Sequence, residues 1–269
     1  MQIANRFVLI TGASSGIGAA TAQAMARTGA RRIALLARTR SDLEEVAAEL
    51  KGAEARVYPV DLADAPAVDR AVQQIGSDMG APDVIVNSAG AGRWLFTEET
   101  EPAEMAQMMA APYFAAFHIT RAFLPSMRQR DSGCIVNVNS PAARMPWPGA
   151  TAYSAARWAL QGFTEALRAD LWRTGVRVAS VVYGRVDTPY FTRNPGVLDR
   201  APTLARLIPT LTADQAAAGI VQAVERNQRE VVMPFMLRVF YAAHHLFPRL
   251  MERLVWGTGW TYSKVKRSV

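Results

Sequence analysis

The stretch that decides the fold is "RFVLITGASSGIG", Arg6 to Gly18. An apolar run runs straight into glycines at positions 12, 16 and 18. Gly12 permits a tight turn, Gly16 lets backbone approach a pyrophosphate, and Gly18 lets the next helix pack closely on the strand. A small-residue helix is expected over about 16–28. Its start presents free N–H groups and a partial positive charge, a ready seat for phosphate. A glycine triplet alone is a weak signal, but in the first strand-turn-helix unit of a parallel sheet it is much stronger.

The rest of the chain supplies that sheet. "RRIALLA" (31–37) precedes "SDLEEVAAELKG", where Ser41 and Glu44 read as a capping box and Gly52 as the end. "ARVYPVDL" (55–62) precedes a helix expected to run to about Gly76. "DVIVNSAG" (83–90), "GCIVNVNS" (133–140), "VRVASVVYG" (176–184) and "REVVMP" (229–234) complete the strands. Near-continuous Val/Ile/Leu strands separated by helices imply a parallel sheet covered on both faces, an α/β doubly wound architecture. Without internal repeats or low-complexity linkers, residues 1–269 read as one domain.

Composition sets limits. Half of the 269 residues are apolar and a fifth charged, ordinary for a soluble globular protein. The one cysteine, Cys134, lies in an apolar run and reads as a buried strand residue. No signal peptide is visible, and a reducing cytoplasm fits. The net charge of +7 is uneven: from Arg226 to Val269, eight cations face only Glu230 and Glu252. Of the 30 cationic side chains only Lys51, Lys264 and Lys266 are lysine, so an arginine at any one place carries little weight. No metal-ligand spacing appears, and adjacent His244 and His245 face different ways on a helix. Nucleic-acid binding has no motif beyond charge.

A second stretch, "AYSAARWALQGF" (152–163), places Tyr153 and Arg157 one helical turn apart. A cation beside a phenol favours the phenolate, so Tyr153 is a candidate acid or base. With Thr11, Gly12, Gly16 and Gly18 in TGxxxGxG spacing, Asp61-Leu62, "NSAG" (Asn87 to Gly90), Ser140, Tyr153, Gly184 and Thr188, the chain resembles the short-chain dehydrogenase/reductase family over about residues 5–235. The resemblance implies a Rossmann fold and hydride exchange with a nicotinamide. It implies Tyr153 as the proton carrier, Ser140 as the group that orients the substrate oxygen, and Arg157 as third catalytic residue. It implies a cofactor site from Gly12, Ser14, Ser15, Gly16, Ile17 and Gly18, with Asp61 and Leu62 at the adenine and Asn87, Ala89 and Gly90 beyond. Tyr153, Arg157, Gly184, Val186 and Thr188 complete that site. An acidic residue usually follows the second strand of an NAD site. Here that place reads "LLARTR", and Arg38, with Arg40 and Ser14 near it, suits a 2′-phosphate, so NADP(H) is expected.

Three positions depart from the family pattern. Arg157 stands where YxxxK has lysine; it supplies charge and ribose bonds but is a poor proton relay. Pro112 falls where the family's catalytic asparagine kinks a helix; proline keeps the kink and the carbonyl but has no donor. Tyr183 replaces the proline usual before Gly184 and is expected to narrow the pocket. Ser-x12-Tyr-x3-Arg also resembles the non-redox halohydrin dehalogenases, whose halide pocket reads T-x4-[FY]-x-G; here the aromatic position is Gly16. Three functions stay open: an NADP(H)-dependent oxidoreductase, a catalytically weakened NADP(H)-binding regulator, and a non-redox Ser-Tyr-Arg enzyme.

The substrate wall is expected from "AGRWLF" (91–96), "PAARMPWPG" (141–149) and 188–208. Trp94, Met145, Trp147, Tyr183, Tyr190 and Phe191 are candidates, and such a wall suits a hydrophobic carbonyl or alcohol. In 235–256, apolar residues recur at helical spacing, with Pro248 opening a second segment. No uncharged run reaches the length of a membrane span. Residues 188–269 thus read as a substrate lid with an amphipathic basic extension, either a lid or subunit contact or a peripheral anchor on the inner membrane surface. Family members pair through helices near 103–127 and 153–173, so a homodimer or homotetramer is expected.

Overall fold

The computed structural model describes residues 1–90 and 92–261. In chain order the elements begin with β1 (Phe7–Thr11), α1 (Gly16–Arg27), β2 (Arg32–Ala37), α2 (Arg40–Glu49), β3 (Glu54–Pro59) and α3 (Ala65–Met79). Next come β4 (Val84–Asn87), α4 (Pro102–Met109), α5 (Ala115–Gln129), β5 (Gly133–Asn139), α6 (Thr151–Asp170) and β6 (Val176–Tyr183). The chain goes on through β7 (Val186–Asp187), α7 (Tyr190–Arg193), β8 (Leu211–Thr212), α8 (Ala213–Glu225), β9 (Glu230–Met233), α9 (Phe235–Leu246) and α10 (Pro248–Gly257).

Seven strands form one parallel sheet in the order β3-β2-β1-β4-β5-β6-β9. Successive side chains of a strand point to opposite faces. Val8, Ile10, Val84, Val86 and Val136 therefore join Ala22, Leu43 and Ile220 on one face, while Phe7, Leu9, Ile85 and Ile135 join Val68, Ile119, Phe123 and Leu167 on the other. Both faces are covered by helices, which is why the central strands read as continuous apolar runs. Each fully buried Leu, Ile or Phe contributes about 1.5–3 kcal/mol over an exposed one. The strand order reverses between β1 and β4, so the crevice at their carboxyl ends is where a ligand of such a sheet sits.

Details differ from the sequence reading. Helix α2 starts at Arg40, and its cap, Thr39, makes no side-chain hydrogen bond. Glu44 pairs with Arg40 one turn back at 3.5 Å, so the Ser41–Glu44 box does not form. Helix α3 runs past Gly76 and stops at Gly80, whose φ of +79° no other residue adopts cheaply. At Pro112 the chain passes from α4 to α5 through a π turn over Ala110–Phe114. Proline has no N–H to continue an i→i−4 ladder, and the wider turn absorbs the break.

The close approach at the first turn is severe. A Cβ on Gly18 would lie 2.1 Å from the Gly12 carbonyl oxygen. Gly18→Ala is therefore expected to push α1 off β1 and destabilise the fold by about 1–3 kcal/mol or more. Denaturant unfolding of the variant checks this; an unchanged midpoint would contradict the packing described.

Candidate active site

Most of the sequence-selected residues meet around one open cavity of about 1270 Å³ at the carboxyl edge of the sheet. Gly12, Ser14, Ser15, Gly16, Ile17 and Gly18 line one part, with Arg38, Asp61, Leu62, Ala89 and Gly90 beside them. Ser140, Met145, Trp147, Tyr153, Arg157, Gly184, Val186, Thr188, Tyr190, Phe191 and Trp94 line the other. Ala91, in the segment 91–96, lies outside the described residues.

The glycine loop is held by its neighbours. Thr11 Oγ1 accepts from the backbone N–H groups of Ser88 and Ala89, both at 3.1 Å, which stitches the end of β1 to that of β4. Gly12 has φ of +66°, and a Cβ there would meet Ala89 Cα at 2.9 Å. The loop thus leads into the N-terminus of α1 at the cavity edge, where a helix's first N–H groups have no intrahelical partner, an arrangement suited to a diphosphate. Arg38 is exposed at the rim and makes no ion pair among the described residues. Asp42 in α2 lines the same rim, whereas Arg40 is turned to Glu44.

Asn87 is the selected cofactor residue that does not line the cavity. It is buried, and its amide donates to Asn137 Oδ1 at 2.8 Å. Asn137 donates in turn to Thr164 Oγ1 at 2.8 Å, and Thr164 donates to the Leu160 carbonyl at 2.7 Å. Asn139 donates to the Arg157 carbonyl at 3.2 Å and accepts from Ser140 N–H at 2.9 Å. These bonds fix α6, which carries Tyr153 and Arg157, against β4 and β5. The sequence reading missed Asn137, Asn139 and Thr164 because a polar residue inside a buried strand gives no sign of which helix it will meet.

The candidate catalytic side chains are nearly enclosed. Ser140 is 8 % exposed, and its hydroxyl accepts from Ala142 N–H at 3.3 Å. Tyr153, 7 % exposed, packs with Met108, Trp94 and Trp147. Its ring is 6.1 Å from that of Trp94 and 6.4 Å from that of Trp147. The Arg157 guanidinium lies 5.0 Å from the Tyr153 ring centroid. Its Nη1 donates to the Val138 carbonyl at 3.4 Å, while Nε is buried with no partner. A Cβ on Gly90 would come within 2.6 Å of Arg157 Nη2, so the glycine of "NSAG" makes room for arginine.

Two features differ from expectation. Tyr183 borders the cavity, but its ring belongs to the core and its hydroxyl donates to the Ala216 carbonyl of α8. A buried phenol needs such a partner, so Tyr183 lines the cavity with its hydroxyl tied back to α8. Burial also pushes its pKa up. The segment 188–208 closes one side of the cavity with contacts not foreseen. Tyr190 donates to the Gly92 carbonyl at 2.6 Å, and Arg193 donates to Ser15 Oγ at 3.1 Å. Burial, with Tyr153 close by, raises the Tyr190 pKa. Arg200 grips Glu99 with both guanidinium nitrogens, one at 2.9 Å. Among the described residues no group of His, Cys, Asp or Glu is placed to hold a metal.

Comparison with known proteins agrees with the geometry. The pattern of the short chain dehydrogenases matches residues 6–195. An uncharacterized oxidoreductase of Mycobacterium tuberculosis is 35% identical over 259 residues, covering 94% of this chain and 73% of that protein. A fatty acyl-CoA reductase of Acinetobacter baylyi is 32% identical, over 86% of this chain and 76% of that protein. A short chain dehydrogenase from Burkholderia cenocepacia, solved in complex with NADP, superposes with a TM-score of 0.79 at 27% identity, covering 95% of this chain and 99% of that one.

The Arg200 contact holds the Glu99 carboxyl below its usual pKa near 4.5. A carboxylate depressed in the folded state gives stability that is present above its unfolded pKa and lost as pH falls through the folded one. Glu99→Gln is expected to cost about 1.5–3 kcal/mol at neutral pH and to flatten the acid limb of stability below about pH 4.5. Urea unfolding as a function of pH reads both effects; an acid limb identical to that of the wild type would refute the assignment.

Proposed function

The chain belongs to the short chain dehydrogenase family, and from that premise we propose that it is an NADP(H)-dependent oxidoreductase that reduces a hydrophobic ketone or aldehyde, or oxidises the matching alcohol. The observation that carries this reading is the single cavity with a phosphate-binding loop and a free rim cation at one part and an enclosed Ser140-Tyr153-Arg157 group at the other. The nucleotide fits the residues present: the Gly12–Gly18 cradle admits no extra Cβ, and Arg157 Nε is a buried donor without a partner. Arg38 would meet a 2′-phosphate, Ala89 and Gly90 would border the ribose, and Thr188 and Val186 would border the nicotinamide, all of them lining the cavity. When bound, the cofactor supplies or accepts the hydride.

The protein's own part is positional and acid–base. Ser140, oriented by Ala142 N–H, hydrogen-bonds the substrate oxygen. The Tyr153 hydroxyl gives its proton to that oxygen in reduction and takes it back in oxidation. The Arg157 guanidinium lies against the face of the Tyr153 ring, and its buried Nε has no protein partner and would donate to the ribose. Trp94, Trp147 and Met145 exclude water and favour an apolar substrate. The bulk of the wall, including Leu198, Leu204 and Ile208, suits a chain longer than a simple sugar. Similarity to the fatty acyl-CoA reductase supports that choice.

A halide pocket in place of the nucleotide loop is disfavoured, because even a Cβ on Gly16 would lie 3.1 Å from Thr188. Exposed Met105, Phe114, Phe117 and Trp158 on α4 to α6 support the pairing of copies as a homodimer or homotetramer. A cytoplasmic setting is in keeping with a lone buried thiol, Cys134, whose pKa burial pushes up to about 12.

Fluorescence titration is expected to show NADPH binding at least about tenfold tighter than NADH, with Arg38→Gln erasing most of the difference. Equal affinities in the wild type would sink the 2′-phosphate assignment. In a carbonyl screen, Tyr153→Phe is expected to lose turnover by about 10²-fold or more while still binding NADPH. Arg157→Lys is expected to keep or raise turnover, since lysine supplies the same charge; its complete loss would show that arginine serves a chemistry of its own.

A further inference from the structure

The last two helices carry an apolar face that no described residue covers. In α9 the residues Phe235, Val239 and Leu246, four and then seven positions apart, fall on one helical face and are exposed. The face continues through Phe247 into Leu250 and Leu254 of α10. Phe235 is 72 % exposed, Leu246 68 %, Phe247 60 % and Leu250 55 %. Scattered apolar residues are normal on a surface; six on one continuous strip are not. The sequence spacing marks most of these positions as an apolar stripe, and a buried face is the usual reading. The structure instead turns Leu237, Met251 and Val255 inward and leaves the stripe outside.

Charge selects what covers it. Arg249 and Arg253 are exposed on α10 beside Leu250 and Leu254, and Arg238 is exposed on α9. The one carboxylate of the two helices, Glu252, is half-buried. A second copy docked about a two-fold axis would set arginine against arginine with no exposed acid on either helix to pair them. A bilayer with anionic headgroups answers both halves of the pattern, apolar side chains for the acyl boundary and long cations for the phosphates. Among the described residues no helix is long and apolar enough to cross a membrane, so the contact is one of surface docking. In sequence, Lys264, Lys266 and Arg267 follow α10, outside the described residues.

We propose that the outward face of α9 and α10 docks the protein on an anionic lipid surface. The same helices wall the cavity from within through Leu237, Phe240 and Val255. Docking therefore sets the cavity wall against the lipid.

The test is co-sedimentation of the purified full-length chain with vesicles, without cofactor or substrate, so that its outcome is independent of the redox reading. The chain is expected to bind vesicles carrying about one part in three phosphatidylserine at least about tenfold more tightly than pure phosphatidylcholine, and less tightly at high salt. The pair Phe247→Ser and Leu250→Ser, both exposed, is expected to weaken binding about tenfold or more. Arg249→Glu with Arg253→Glu is expected to erase the preference for anionic lipid. Trp172→Ser, exposed on the turn after α6, is expected to bind as the wild type does. Circular dichroism checks that each variant is folded. Absence of binding to either vesicle, or unchanged binding by the Phe247/Leu250 variant, overturns the proposal. So does a fall in oligomeric mass on making that variant, which would identify a second copy as the occupant.

Discussion

Gly18 packs so closely on the Gly12 carbonyl that a Cβ there would lie 2.1 Å from its oxygen, and much else follows from that contact. With no side chain at position 18, α1 lies hard against the end of β1. Its amino end then opens at the reversal of strand order between β1 and β4, the one crevice a doubly wound sheet provides. Thr11 locks β1 to β4 through two backbone donors. The glycine loop is thus shaped by close backbone packing and one threonine hydroxyl, with the exposed Arg38 at its rim.

A second set of contacts does for the reacting groups what the glycines do for the phosphate. Asn87, Asn137 and Thr164 pass hydrogen bonds from strand to strand to helix through a region closed to water. An unmade bond there would cost the desolvation of each group, so the register of α6 on β5 is strongly specified. Tyr153 and Arg157 inherit that precision. Arginine in place of lysine then becomes a matter of volume as much as of charge. Its larger head is accommodated because position 90 has no Cβ, and it rests on the face of the phenol ring.

The sequence was legible wherever a local rule dictates a residue. Gly12, Gly16 and Gly18 announce the turn, near-continuous apolar runs announce the strands, and Ser140 with Tyr153 announces the candidate pair. Legibility failed where the answer depends on what arrives from elsewhere in the chain. Ser41 and Glu44 have cap spacing, yet Arg40 takes the carboxylate. Tyr183 ends β6 at the cavity border, yet the Ala216 carbonyl and the bare face of Gly219 draw its hydroxyl into the core. Helix periodicity identified the stripe on α9 and α10 but not its direction, because period alone cannot say which face meets the protein.

Arg193 and Ser15 lie 178 positions apart in the chain, yet they share a hydrogen bond across the mouth of the cavity. Ser15 is also the cap position of α1, where phosphate would rest. Segment 188–208 and the proposed phosphate loop are therefore tied by one contact, so a nucleotide seated at Ser15 would lie directly against the anchor of that segment.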